Sequence, residues 1–213
     1  ERTMILHTYD ELDTYLGEKV LLVCDSTIKF LKINEYFNGK GNIVRFSDFV
    51  PNPLYDSVVE GVDIFHKENC ATIVAVGGGS AMDVAKCIKL YSNMNREENY
   101  LKQKIVPNDV PLIAVPTTAG TGSEATRYAV IYYEGEKQSI ADYSCIPSVV
   151  LFDTSVLETL PLYQKKATLM DAMCHSIESF WSVNSTDESK GYSKEALSLI
   201  VNNYKDYLAG DNS

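Results

Sequence analysis

Three short stretches of this chain combine residue types and spacing that can do chemistry. The first is Val76-Gly77-Gly78-Gly79-Ser80-Ala81-Met82-Asp83, where an apolar run ends in three glycines and a helical pattern starts at once. Glycines let backbone N–H groups approach an anion closely, and a helix N-terminus adds the positive end of its dipole. A diphosphate fits such a place. The plainer reading is a tight turn with Ser80 as N-cap and Asp83 closing a capping box, and the two readings are compatible. The stretch is neither GxGxxG nor the Walker pattern GxxxxGK[ST].

The second stretch is Pro116-Thr117-Thr118-Ala119-Gly120-Thr121-Gly122-Ser123-Glu124, dense in hydroxyls and glycines. A loop of this kind can surround a polar ligand with donors from backbone and side chain. It can equally be a solvated loop with Ser123 as a helix cap. Two such loops after two strands of one sheet would converge on one crevice beyond the strands' carboxyl ends. Asp25 also directly follows a strand pattern, where an acid often receives the hydroxyls of an adenosine ribose. On its own, capping of the helix that follows is the simpler reading of Asp25.

The third stretch is Asp171-Ala172-Met173-Cys174-His175. Asp171 and His175 stand i, i+4 on a helical pattern and so share one face. A carboxylate and an imidazole there can grip one divalent cation, or simply bond to each other. Two donors do not complete a site, since a tetrahedral one takes about four. His7 precedes the first long strand pattern, and His66 lies in an early helix pattern where it reads as a surface residue, so both are poorer candidates.

The elements that must position these groups follow from periodicity. Lys19–Cys24, Ile43–Phe46, Ala71–Val76, Leu112–Val115 and Val149–Phe152 are short apolar runs expected to be strands. Thr27–Phe37 reads as a helix closed by Asn38-Gly39, and Leu54–Asn69 carries an apolar stripe at 54, 58, 62 and 65. Pro51-Asn52-Pro53 is a turn, the helix after Gly77–Ser80 runs to about Tyr91, and the polar stretch 92–110 reads as a loop. Continuous apolar strands alternating with amphipathic helices imply an α/β domain with a doubly wound parallel sheet covered on both faces. After Asp153 the pattern changes to the long helices Tyr163–Trp181 and Ser189–Leu208 with no strand between them. The expected division is an α/β domain over 1–158 and the first part of an all-helical domain over 159–213.

Composition narrows the function classes. The 213 residues are 45% hydrophobic and 23% charged, ordinary for a globular chain. A net charge of −10 argues against a nucleic-acid or anionic-membrane surface, both of which want clustered Lys and Arg. No apolar run approaches the roughly 20 residues of a membrane span, and no signal peptide is recognisable. Cys24, Cys70, Cys87, Cys145 and Cys174 are scattered and form no CxxC pair. That pattern fits reduced, mostly buried thiols in a cytoplasmic protein. The chain starts at Glu1 without an initiator Met, so a trimmed or incomplete protein is expected.

GGGSAMDVAK, PTTAGTGSE and DAMCHSIES together resemble the iron-containing (group III) alcohol dehydrogenase family, in its order and spacing, from about Lys19 to about Ser182. The resemblance implies a dehydroquinate synthase-like architecture: a dinucleotide-binding domain, a helical domain, and a cleft between them for NAD(P) and one divalent metal. It implies Asp25 as the ribose acid and Asn52 as a border of the adenine side. Gly77, Gly78, Gly79, Ser80 and Asp83 would form the pyrophosphate and ribose cradle. Thr117, Thr118 and Thr121 would line the nicotinamide end, with Val130 as an apolar wall and Lys137 as a cofactor-contacting lysine. Asp171 and His175 would be the first two metal ligands. The implied cofactors are NAD, with NADP as the alternative, and Fe2+, with Zn2+ as the alternative.

The chain departs from the family pattern in three places. Leu6-His7-Thr8-Tyr9-Asp10 stands where a Gly-rich FGxG-like turn is usual, and Leu169-Met170 replaces the Gly that often precedes the metal helix. The family's last two ligands are histidines further along the helical domain, and Ser213 comes before them.

The reaction implied is reversible hydride transfer between a nicotinamide and an aldehyde or alcohol, with the metal as Lewis acid. The expected partners are therefore that small molecule and, for the full-length protein, further copies of itself. No nucleic acid or membrane is expected. The run from Phe180 to Ser189 is similar to the branch that reduces phosphonoacetaldehyde to 2-hydroxyethylphosphonate. With two ligands missing, this chain alone is expected to be inactive. The competing reading is a non-catalytic or truncated dinucleotide-binding module. A zinc-dependent glycerol-type dehydrogenase is a further alternative, although its loop motifs differ from PTTAGTGSE.

Overall fold

The structure, a computed structural model, describes residues 3–210. They divide into two compact units. One runs up to Thr117 and resumes over Ser123–Asp153, and the other combines Thr118–Gly122 with the chain from Thr154 onward.

The first unit contains β1 (Met4–Leu6), β2 (Val20–Cys24), β3 (Ile43–Phe46), β4 (Thr72–Gly77), β5 (Leu112–Pro116), the hairpin β6 (Tyr128–Tyr133) and β7 (Glu136–Ala141), and β8 (Val149–Leu151). Its helices are α1 (Tyr9–Leu12), α2 (Lys32–Asn38), α3 (Tyr55–Lys67) and α4 (Gly79–Tyr91). Six of these strands form one sheet in the order β1-β8-β5-β4-β2-β3, with every neighbouring pair parallel. Leu21, Val23, Ile73, Ala75, Leu112 and Ala114 point to one face and join a core with α3 and α4. The alternate residues Val20, Leu22, Val74, Val76, Ile113 and Val115 are equally buried, so both faces are covered. That is why these strands read as continuous apolar runs in the sequence.

Three local readings of the sequence are corrected. The helix expected over Thr27–Phe37 breaks at Leu31, whose backbone is extended, into a 3-10 turn (Ser26–Phe30) and α2. Ser80 is not the N-cap of α4: Gly78 holds that position, with Ser80 already inside the first turn. Ser123 opens a short 3-10 turn, Ser123–Ala125, rather than capping an α-helix. The stretch between α4 and β5 is irregular as expected, apart from a 3-10 turn at Tyr100–Lys102.

The first unit also holds elements that the sequence reading lacked. Edge strand β1 pairs with β8. After it, α1 is closed by a capping box between Thr8 and Glu11, in the segment that replaces the Gly-rich turn. The β6–β7 hairpin turns through Glu134-Gly135, both with left-handed backbone.

The second unit is helical. α5 (Leu162–Trp181) and α6 (Asp187–Ala209) pack against each other. Thr186 caps α6 in a capping box with Ser189, so the helix begins two residues earlier than its apolar pattern. Gly120 lies directly against α5: a Cβ there would sit 2.7 Å from the carbonyl oxygen of Thr168. A glycine is therefore required where that loop crosses the helix. Among the described residues, no helix is long and apolar enough to cross a membrane. Cys24, Cys70, Cys87 and Cys145 are buried and Cys174 is exposed, all as free thiols.

Candidate functional site

The first unit gathers its candidate groups at the carboxyl ends of β2, β4 and β5. Gly77 is the last residue of β4 and pairs with Pro116, the last of β5. The N–H of Thr117 donates to the carbonyl of Gly77 at 3.0 Å. The glycine turn and the start of the hydroxyl-rich loop therefore leave the sheet side by side. A Cβ on Gly77 would lie 2.6 Å from the Cβ of Ala81, so the first turn of α4 closes down on the strand end. The first N–H groups of α4 have no partner within the helix itself and lie at this carboxyl end of β4.

Asp25 follows β2 on the neighbouring strand. It is the N-cap of the 3-10 turn, with the N–H of Thr27 donating to its Oδ1 at 2.8 Å. Its other oxygen, Oδ2, lies 3.8 Å from where a Gly77 Cβ would be. Capping therefore uses one oxygen, and the second stands beside the glycine turn.

Asp83 is held one turn into α4. Its carboxylate accepts from the hydroxyl of Ser123 at 3.2 Å, and the backbone N–H of Val130 in β6 faces it and favours its charged form. Burial pushes its pKa up to about 6, against the opposing pull of the Val130 N–H, Lys86, Ser123 and Lys137. Val130 and Lys137 lie on the same face of the hairpin, since the register pairs Val130 with Ser139 and Tyr132 with Lys137. The opposite face, with Ala129, Ile131 and Ile140, is buried in the core. Asn52 is exposed with a left-handed backbone (φ 59°). The turn it belongs to is tied to the hairpin by the N–H of Tyr132 donating to the Pro53 carbonyl at 2.8 Å. The structure thus brings Asp83, Val130 and Lys137 together and sets Asp25 beside Gly77.

Sequence reasoning missed Lys86. It is fully buried, and its ammonium donates to the carbonyls of Thr126 and Tyr128, each at 2.8 Å, and to the hydroxyls of Ser123 and Thr126, each at 3.2 Å. Burial lowers its pKa from the usual lysine value.

The second unit holds Thr118, Thr121, Asp171 and His175. On α5 the Nε2 of His175 lies 3.6 Å from Oδ1 of Asp171, and both side chains are about half exposed. A carboxylate and an imidazole one helical turn apart suit a borderline divalent ion such as Fe2+ or Zn2+. Among the described residues, no group of three or more His, Cys, Asp or Glu side chains stands close enough to hold a metal, and the pair offers two donors. For a dinucleotide the fit is better. Gly77, at the end of β4, leaves no room for a Cβ against Ala81, and a carboxylate oxygen of Asp25 stands beside it.

The family model described as iron-containing alcohol dehydrogenase matches residues 3–154. The chain is 34% identical to aldehyde-alcohol dehydrogenase 2 of Entamoeba histolytica, over 92% of its own length and 26% of that protein's. It is 36% identical to the NAD-dependent methanol dehydrogenase of Bacillus methanolicus, over 86% of this chain and 51% of that one. Its fold is similar to the crystal structure of sulfoacetaldehyde reductase from Bifidobacterium kashiwanohense in complex with NAD+. The TM-score is 0.88 at 26% identity, with 97% of this chain and 59% of that one covered. The chain therefore spans about half or less of the length of these curated relatives.

Proposed function

The chain belongs to the iron-containing alcohol dehydrogenase family, and from that premise we propose that it carries the NAD(H) site and part of the metal site of an enzyme that reduces an aldehyde to an alcohol. The observation that carries this reading is the β4–α4 junction, where Gly77 has no room for a side chain and Asp25 stands alongside. In this reading the backbone N–H groups of Gly78, Gly79 and Ser80 hold the pyrophosphate. Asp25 receives the adenosine ribose hydroxyls and Asp83 the ribose hydroxyls at the other end, while Asn52 borders the adenine. Thr117, Thr118 and Thr121 supply hydroxyls at the nicotinamide end, Val130 an apolar wall and Lys137 a positive charge. NAD is preferred over NADP because a carboxylate at Asp25 repels a 2′-phosphate.

Asp171 and His175 would hold one divalent ion, Fe2+ or Zn2+, through one oxygen and one nitrogen. When bound, the dinucleotide supplies the hydride and the metal supplies Lewis acidity at the carbonyl oxygen. The protein's own part is to orient, through the glycine turn and the threonines, and to fix charge, through Asp83 and Lys137. With two donors where about four are needed, the 213-residue chain by itself should hold the ion weakly and show little or no turnover. A homo-oligomeric assembly and a cytoplasmic location belong to the same proposal.

The finer substrate reading is phosphonoacetaldehyde, reduced to 2-hydroxyethylphosphonate. It is supported by the resemblance over Phe180–Ser189 and by the likeness to a sulfoacetaldehyde reductase, whose named substrate also pairs an aldehyde with a tetrahedral anion. The test is NADH oxidation by the full-length protein, with Fe2+ or Zn2+ added, across phosphonoacetaldehyde, sulfoacetaldehyde, butyraldehyde and lactaldehyde. Preference for the anionic aldehydes supports the finer reading. Preference for the neutral ones removes it and leaves the oxidoreductase. NADH binding without turnover of any aldehyde leaves a dinucleotide-binding module.

A further inference from the structure

Among the described residues, Lys86 is the most deeply buried cation of the first unit, and its surroundings are unusual. An ammonium taken out of water costs several kcal/mol unless its hydrogens find acceptors, and an apolar side chain of similar volume would fill the same space without that cost. Here the three N–H bonds face four acceptors, all from residues 123–128. That segment leads from the hydroxyl-rich loop into β6 and has little regular structure of its own.

Three consecutive carbonyls of the segment are fixed from inside. Lys86 takes those of Thr126 and Tyr128. The carbonyl between them, Arg127, accepts from the N–H of Asp142 at 3.0 Å and from the Cys145 thiol at 3.2 Å. Lys86 also reaches Asp83 through Ser123, whose hydroxyl accepts from the ammonium and donates to the carboxylate, each at 3.2 Å. The anchored segment enters β6, and two residues into that strand the N–H of Val130 faces Asp83 and favours its charged form.

We propose that Lys86 is a positioning residue for the dinucleotide: it locks residues 123–128 against α4 and, through Ser123, sets the orientation and charge of Asp83, so that Asp83 and the Val130–Lys137 face of the hairpin are presented as one rigid surface. The proposal rests on the reading of the first unit as an NAD(H) site. Lys86 itself is sealed from solvent and touches no ligand. It acts through Ser123 and Asp83.

The charged and titratable groups that face Lys86 include Asp83, Cys87, Cys145 and Glu124, and those that face Asp83 include Lys86, Lys137, Cys87 and Cys145. Removing the Lys86 charge therefore leaves Lys137, on the exposed hairpin, as the cation acting on Asp83. The carboxyl should then titrate at higher pH. A side chain that only filled space would not cause such a shift.

The test has a readout independent of the cofactor. The titration midpoint of Asp83, followed by 13C NMR of its carboxyl carbon, should rise by about one pH unit in Lys86→Met. It should rise less in Ser123→Ala, which keeps the cation and removes the relay. NADH affinity at pH 7 should fall about tenfold in Lys86→Met, and circular dichroism should report an intact fold. Ser123→Ala stands in should Lys86→Met fail to fold: an Asp83 midpoint and NADH affinity both unchanged in it would overturn the proposal. So would a Lys86→Met protein that folds, keeps the wild-type midpoint and binds NADH as tightly. A wild-type chain that does not bind NADH, but whose Asp83 midpoint still moves in the variants, would sink the NAD(H) reading and keep the electrostatic coupling.

Discussion

Lys86 and Asp83, one turn apart on α4, share a single hydroxyl: Ser123 accepts from the one and donates to the other, at 3.2 Å in both cases. The acid beside the proposed pyrophosphate cradle is thus wired to a cation in the core. Its protonation state becomes a property of how the loop before β6 is held.

The first prediction concerns pH. Asp83 has a pKa of about 6 in the fold, above the ordinary 3.9 of an unfolded aspartate. The folded state therefore binds the extra proton between these values, and stability from this group is full below about pH 4 and lost as pH rises through about 6. Asp83→Asn keeps an acceptor for the Ser123 hydroxyl and removes the titration. Relative to wild type it should gain on the order of 2 kcal/mol at pH 7, and the difference should shrink to near zero at pH 4. Urea melts of both proteins across that range measure it.

The same group should gate the cofactor. Ionised Asp83 accepts hydroxyl protons, and neutral Asp83 is a poorer acceptor. NADH affinity should weaken as pH falls through about 6, and Asp83→Asn should bind weakly at all pH values. A wild-type affinity that stays level from pH 5 to 8 would remove Asp83 from the binding account.

Asp25 spends one oxygen on the Thr27 N–H and leaves the other beside Gly77. Asp25→Asn keeps the cap while discharging the free oxygen's repulsion of a 2′-phosphate. The ratio of NADP(H) to NAD(H) affinity should rise about tenfold, with the melting temperature little changed. An unaltered ratio would mean that the carboxylate does not face the ribose.

His175 and Asp171 are exposed enough to titrate with metal directly. The chain should bind Fe2+ or Zn2+ weakly, and His175→Ala should abolish that binding without altering NADH affinity, since the glycine turn and Asp25 are untouched. Tight, stoichiometric metal in the 213-residue chain would show that further ligands have been missed.

Much of the sheet was legible because its central strands are buried on both faces. KVLLVC and ATIVAV have no polar alternation to confuse the reading. The hairpin escaped because Glu134-Gly135 places a glutamate in a left-handed position where Asn or Asp is the usual signal. Edge strand β1 is three residues long, and its partner β8 lies more than a hundred residues away. Lys86 was invisible for a related reason. In AMDVAKCIKLY it looks like the polar face of a helix, and its acceptors stand 37 to 42 residues further along the chain. The glycine turn was placed correctly, but its cap was misassigned by one class of residue: Gly78, not Ser80, turns the chain into α4.

The central claim is that the β4–α4 junction holds the pyrophosphate, and Gly78→Val tests it most directly. The backbone of Gly78 (φ −83°, ψ −162°) is extended and open to any residue, so the variant should fold, while its side chain fills the space before the helix N-terminus. Fluorescence titration with NADH should give saturable binding to the wild-type chain and a loss of at least about tenfold in the variant, with unchanged circular dichroism. Equal NADH affinity in the two folded proteins would contradict the account.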